Sequence, residues 1–358
     1  MTRNVYFDID QVDDLALGSA LVGCGGGGAS RYAAAQLKEI LRDDNRIRLL
    51  NVSMLRDSDV VCAVGTMGSP AVARERLADG SELARSVTAM ARHTGRKITA
   101  VTSFECGGDN GLLPLICAGQ LNLPCLDADL AGRAVSRLDQ FSLTAEGFPI
   151  TPMLLILANG ATMTIDGGEA HQVEELARAA ITSGGGWAAV CFPPLDAGEV
   201  RAYALPGTLS RSIDLGSALA QALESRTVGA GVAESDIAVI AHGRIQDVTR
   251  HDSVGLSSNT TIFLKDVRTD AVIRIEAGDE YLIVLNDGEV IATVPDLICL
   301  VDIRTGQPIE TVDARSGTDV ALCRMPAHPW WLSSAKRLDF CSPRSYGIDL
   351  DPILMRTS

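Results

Sequence analysis

Apolar residues recur along this chain in two rhythms, and the change from one to the other divides it. From Asp14 to Val22 they run almost without interruption through a helix-length segment. In the next segment Ala33, Leu37, Ile40 and Leu41 fall at i, i+4, i+7 and i+8, one buried stripe of an amphipathic helix. Short runs rich in β-branched residues then alternate with helical patterns. Residues 47–52, 59–64 (DVVCAV), 98–102 (ITAVT) and 123–126 read as strands, and 82–93 and LLPLICAGQL read as helices. Ser69-Pro70 starts a helix, with proline at its first position, and Gly95 stops another. This alternation predicts an α/β unit whose sheet is largely parallel. Asn159-Gly160 sits between two apolar runs as a type I′ hairpin signal. A helix at 171–182, the strand WAAVCF and a helix ending near 223 follow. Beyond Ile237 the segments become short and alternating (AVIAHGRIQDV, TTIFLKDV, AVIRIEA, YLIVLNDGEVIATV, LICLVDI, DVALCRM), the pattern of a β domain. The expected fold class is α/β: an N-terminal α/β domain with a mostly parallel sheet over 1–168, and a C-terminal β-rich domain over 169–358.

The breaks between these elements carry the candidate chemistry. LVGCGGGGAS places Gly25, Gly26, Gly27 and Gly28 between two helices. Four ordered glycines have a high entropic cost, so the backbone there must take positive φ or approach something closely. Because a helix follows at once, free N–H groups can meet a carboxylate, phosphate or amide oxygen; the alternative is a flexible turn, or a spot where a helix packs closely on a sheet. It is neither the dinucleotide fingerprint, since no strand feeds it, nor a phosphate loop, since no Gly-Lys-Ser/Thr follows. Three loops after predicted strands are chemically loaded: GTMGS, FECGGDNG and DAD. Ligands of open α/β sheets sit beyond the carboxyl ends of strands, so these loops are expected to converge. Glu105 is a candidate general base. Asp127 and Asp129, two apart in an extended segment, point to one side. With Glu105 they would hold a divalent cation with water in an open position. Asn110 and Asp109 can donate to or accept from a cyclic amide, although Asn110 fits equally as a helix cap. Arg133 either pairs with Asp129 at i,i+4 or grips a substrate carboxylate through its planar fork.

Composition narrows the partners. The 358 residues are 46% hydrophobic, enough for a large core and two domains. A net charge of −14 argues against nucleic acid or an anionic membrane surface as partner. Aromatics at 4% leave little to stack bases on. Nine scattered cysteines without a C-x-x-C pair read as reduced, buried thiols of a cytoplasmic protein. Cys24 and Cys106 stand in loaded loops, and either would need a depressed pKa to act as a nucleophile. No apolar run is long enough to span a membrane.

Several stretches together resemble one family. They are the glycine run, FECGGDNGLLPLICAGQLNLPCLDADLAGRA, PGTLSRSIDLG, PDLICLVDIRTGQPI and CSPRSYGIDLD. In this order they are similar to the family long called DUF917, linked to S-methyl thiohydantoin desulfurase and grouped beside hydantoinase/oxoprolinase-like proteins. The resemblance covers nearly the whole chain. It implies two domains, α/β then β-rich, and hydrolysis of an S-methylated thiohydantoin ring that releases methanethiol and leaves a hydantoin. The expectation is therefore a hydrolase of a small cyclic amide or amidine, forming a homo-oligomer. Glu105, Asp127 and Asp129 would activate water, and the glycine run, Asn110 and Arg133 would hold the ring. A metabolite-binding regulator, or a subunit of a hydantoinase-like assembly, would share the scaffold without its own turnover.

Overall fold

The computed structural model describes residues 5–75, 79–224, 236–251 and 259–355, so the outermost residues of both expected domains lie outside it. The first sheet is built around four parallel strands, in the order Ile47–Leu50, Cys125–Leu126, Ala100–Ser103 and Val60–Gly68. Antiparallel strands flank this centre. Val5–Phe7 lies on one side, and Trp187–Cys191, Met153–Leu157 and Thr162–Ile165 lie on the other. The α/β class expected from the alternating pattern is therefore present. Residues on both sides of position 168 build this sheet, because Trp187–Cys191 inserts between Val60–Gly68 and Met153–Leu157.

The second sheet is antiparallel throughout. Its order is Glu289–Thr293, Tyr281–Asn286, Val272–Ala277, Asn259–Asp266, Ala238–His251, Asp319–Met325 and Leu297–Asp302. Alternation predicts one covered and one wet face for such strands, and Val272–Ala277 shows it, with Ile273, Ile275 and Ala277 buried between more exposed neighbours.

Two helices weld the domains. Val12–Val22 and Thr208–Glu224 run against each other so closely that a Cβ on Gly18 would fall 1.6 Å from the Ser212 carbonyl oxygen. At Gly216 it would fall 1.8 Å from that of Asp14. Leu21, Val22, Leu215 and Leu219 of this pair pack on Leu297, Cys299, Val301, Cys323 and Met325 of the second sheet. The contact of this helix pair with the second sheet is thus apolar, and it fixes where the domains' loops meet. Among the described residues no helix is long and apolar enough to cross a membrane.

Candidate functional site

The parallel strands deliver their loops to one place. Val60–Gly68 runs out into Thr66–Ser69, and Ala100–Ser103 runs into Phe104–Asn110. Asn110 ties the two loops together: its Oδ1 accepts from the Thr66 N–H at 2.7 Å, and its Nδ2 donates to the Thr66 carbonyl at 3.2 Å. The same Nδ2 donates to Glu105 Oε1 at 2.7 Å, and the Val135 N–H donates to Glu105 Oε2 at 2.8 Å. Both oxygens of this buried carboxyl are thereby held. A cavity of about 590 Å3 opens beside them. Its walls include the glycine run, Thr66, Glu105, Asp109, Asn110 and Ser136 from the first domain, and Glu280, Glu310 and Asp313 from the second.

The glycine run is the junction between these walls. Its carbonyls are taken by three different segments: Cys24 accepts from the Tyr281 N–H at 2.8 Å, Gly25 from Thr311 at 2.9 Å and Gly27 from Asp109 at 2.8 Å. Gly25, Gly27 and Gly28 have φ of +89, +81 and +84°, conformations that favour glycine. A side chain has no room either. A Cβ would come to 2.6 Å from the Tyr281 ring at Gly25, 2.7 Å from Glu280 Oε1 at Gly26, and 2.6 Å from the Gly107 carbonyl at Gly27. Close backbone packing and lining of the cavity thus coincide in one segment.

Glu280 is missing from the candidates drawn from the sequence. It follows Asp279 in a turn between two strands, where an acidic pair reads as a solvated hairpin tip. Here the turn faces inward: Glu280 is 2% exposed, and its Oε2 accepts from Ser136 Oγ at 2.6 Å. Arg74, Glu310 and Asp313 were also outside the expectation. Arg74 bridges the domains, with Nη2 2.8 Å from Glu310 and 2.7 Å from Asp313.

Burial sets the electrostatics. It pushes Glu105 up to about 8 against the pull of its two N–H donors. It pushes Glu280 up to about 7, with Asp279 adding to the rise and Ser136 and Arg133 opposing it. Burial likewise raises the Cys24 and Cys106 thiols, which stay protonated. Cys24 Sγ donates to the Val22 carbonyl at 3.3 Å, so neither thiol is set up as a nucleophile.

Three expected site residues stand elsewhere. The expectation that Asp127 and Asp129 share one side fails because the chain bends at Asp127, between the short strands Cys125–Leu126 and Ala128–Asp129. Asp127 instead accepts from the Ser210 N–H at 3.0 Å and the Ser210 hydroxyl at 2.6 Å, capping the first turn of Thr208–Glu224. Asp129, fully buried, accepts from the Gly132 N–H at 2.9 Å on both oxygens and from Cys106, so it shapes its own loop. Glu105, Asp127 and Asp129 do not gather round one point. Among the described residues no group of three or more His, Cys, Asp and Glu could hold a metal ion. Arg133 is buried in the domain seam, donating to the carbonyls of Ala134 at 3.1 Å and Asp296 at 3.3 Å, so it does not reach the cavity. The loop that follows Ala128–Asp129 still serves the site, through Val135 and Ser136 rather than the aspartates.

Comparison with known proteins places this arrangement. The family model described as "S-Me-THD-like, N-terminal domain" matches residues 10–167, and "S-Me-THD-like, C-terminal domain" matches 168–354. No curated protein matches the chain significantly. A crystal structure of a protein from Chromobacterium violaceum, determined as a structural genomics target, superposes with a TM-score of 0.77. It is 21% identical and covers 97% of this chain and 98% of its own, a likeness of fold.

Proposed function

This chain belongs to the S-Me-THD-like family, whose two models together span residues 10–354, and from that premise we propose that it hydrolyses a small cyclic amidine of the S-methyl thiohydantoin class, releasing methanethiol and leaving the hydantoin. The observation that carries the reading is the meeting of Glu105 and Glu280, one from each domain, on one cavity, both displaced toward neutrality. Addition of water across the ring C=N bond, ahead of loss of the thiol, needs one group to take a proton and another to give one. Two carboxyls that burial holds near neutrality on one cavity can divide that work.

In the proposed cycle Glu280, steadied by Ser136, takes a proton from water as the water oxygen bonds to the ring carbon that bears sulfur. Glu105, protonated, gives its proton to the ring nitrogen of the same C=N bond. That carbon becomes tetrahedral, bearing hydroxyl, S-methyl and two nitrogens. On collapse the C–O bond becomes C=O and the C–S bond breaks. The departing sulfur takes the proton held by Glu280, and the hydroxyl proton returns to Glu105. One water is consumed, methanethiol leaves, and both carboxyls recover their starting states. This assigns Glu105 the acid's part, where the sequence suggested the base's. Asn110 and the glycine run supply the polar wall against which the ring lies.

The test is methanethiol release from an S-methyl thiohydantoin by wild-type protein and by Glu105→Gln and Glu280→Gln. General acid–base catalysis contributes about 10²–10⁴-fold, so each variant is expected to lose at least about a hundredfold in kcat. Turnover unchanged in both would remove the reading. Binding of the ring without turnover by the wild-type protein would favour the metabolite-binding alternative.

A further inference from the structure

Asp109 lines the same cavity, and no step above uses it. Its N–H donates to the Gly27 carbonyl at 2.8 Å, and a Cβ on Gly28 would come to 2.9 Å from its Oδ2. The preceding Gly108 has φ +57°, and a Cβ there would fall 2.3 Å from the Gly27 carbonyl carbon. The backbone that carries the carboxyl is therefore held between two interlocked glycine turns. Its Oδ1 is sealed from solvent and has no hydrogen-bond partner among the described residues. Arg74, a neighbouring cation, gives its two terminal nitrogens to Glu310 and Asp313, and its Nε, like Asp109 Oδ1, has no hydrogen-bond partner among the described residues.

An ionised carboxylate with one oxygen sealed and unpaired is strongly disfavoured, whereas a neutral carboxyl can leave its sealed oxygen as a carbonyl. Its hydroxyl then sits on the oxygen that the cavity can reach. We propose that Asp109 is a specificity-determining residue that binds the ring as a neutral carboxylic acid and donates a hydrogen bond to an acceptor on it, the carbonyl oxygen of the cyclic amide. This deepens the hydantoin-class reading and rests on it. The charged groups that face Asp109 are Glu310, beside the Thr311–Asp313 turn, and Arg74, on the Pro70–Glu75 helix. Burial, with Glu310 adding to it and Arg74 opposing, lifts the carboxyl to about 7. The donor is therefore lost as the pH rises through neutrality. A ring whose carbonyl is replaced by a methylene is expected to be rejected.

The experiment is calorimetric binding of hydantoin, the unreactive product, to the full chain at pH 6 and pH 9, for wild type, Asp109→Asn and Asp109→Ala. With a pKa of about 7, the neutral fraction of Asp109 falls from about nine-tenths to about one-hundredth across that range. Asparagine donates without titrating. The ratio of wild-type to Asp109→Asn affinity is therefore expected to fall by about two orders of magnitude between the two pH values. Glu105 and Glu280 titrate in the same window but are common to both proteins, so the ratio cancels them. Asp109→Ala is expected to bind weakly at both. The proposal is overturned if that ratio does not change, or if Asp109→Asn at pH 6 is as weak as Asp109→Ala, which would make the group an anionic acceptor. Wild-type protein that binds no hydantoin at either pH would sink the hydantoin-class reading itself, and the donor role with it.

Discussion

Glu105 and Asp127 each follow a strand of the parallel centre, and each was an equally good acid in the sequence. What separates them is the neighbour each finds. Glu105 meets Asn110 and the Val135 N–H on the cavity wall, whereas Asp127 meets the first turn of a helix that begins 81 residues later, at Thr208. Asp127→Ala should therefore behave as a cap deletion. It is expected to cost about 1 kcal/mol of stability, read as a lowered denaturant midpoint, while kcat stays within about threefold. A loss of turnover comparable to that of Glu105→Gln would return Asp127 to the catalytic set. Glu280 was illegible for the opposite reason. Its carboxyl lines the cavity only because the Gly278–Tyr281 turn lands on Gly26 and Ser136, contacts from residues more than a hundred positions away. No local pattern distinguishes that turn from an exposed one.

At the scale of elements, the β-branched runs and their punctuation were sufficient to find the parallel strands and two of the three loops that line the cavity. The glycine run was legible as a place of unusual backbone, but its reason is tertiary. Gly27 interlocks with Gly107 and Gly108, and that contact aims Asp109 and Glu105 together. Gly27→Ala is expected to destabilise the protein by about 1–3 kcal/mol or more, from positive φ alone, and to abolish turnover. Gly160→Ala is the comparison, because Gly160 also has positive φ (+85°) but nothing lies within 4 Å of its Cβ position. It should lose stability and keep its rate once folded. Equal effects of the two on kcat would show that the interlock does not position the site.

Taken whole, the molecule is built on two large sheets joined through a pair of packed helices, with the cavity walled by loops of both domains. That pairing was not foreseeable from apolar periodicity, because Gly18 and Gly216 mark helix contact only once both helices are seen side by side. Across the cavity the domains are tied by Arg74 with Glu310 and Asp313. The guanidinium is partly exposed, 26%, so its ion pairs add on the order of 1 kcal/mol or less to stability. Their larger effect is on closure of the wall. Arg74→Ala is expected to raise KM several-fold with kcat changed less, and to weaken the salt dependence of KM expected of the wild type. A variant indistinguishable from wild type in KM would mean the tie does not shape the site.

The division of labour between the two domains' carboxyls is most directly tested by the pH dependence of methanethiol release in single turnovers of the wild-type protein, with binding saturated at every pH so that the titration of Asp109 does not enter the rate. Glu280 must lose its proton to act, and Glu105 must keep its own. The rate is therefore predicted to rise through about pH 7, as Glu280 ionises, and to fall above about pH 8, as Glu105 does. In Glu280→Gln the rising limb, and in Glu105→Gln the falling limb, should disappear from whatever activity remains. A rate that is flat from pH 5 to pH 9, or limbs that persist unchanged in both variants, would contradict the account.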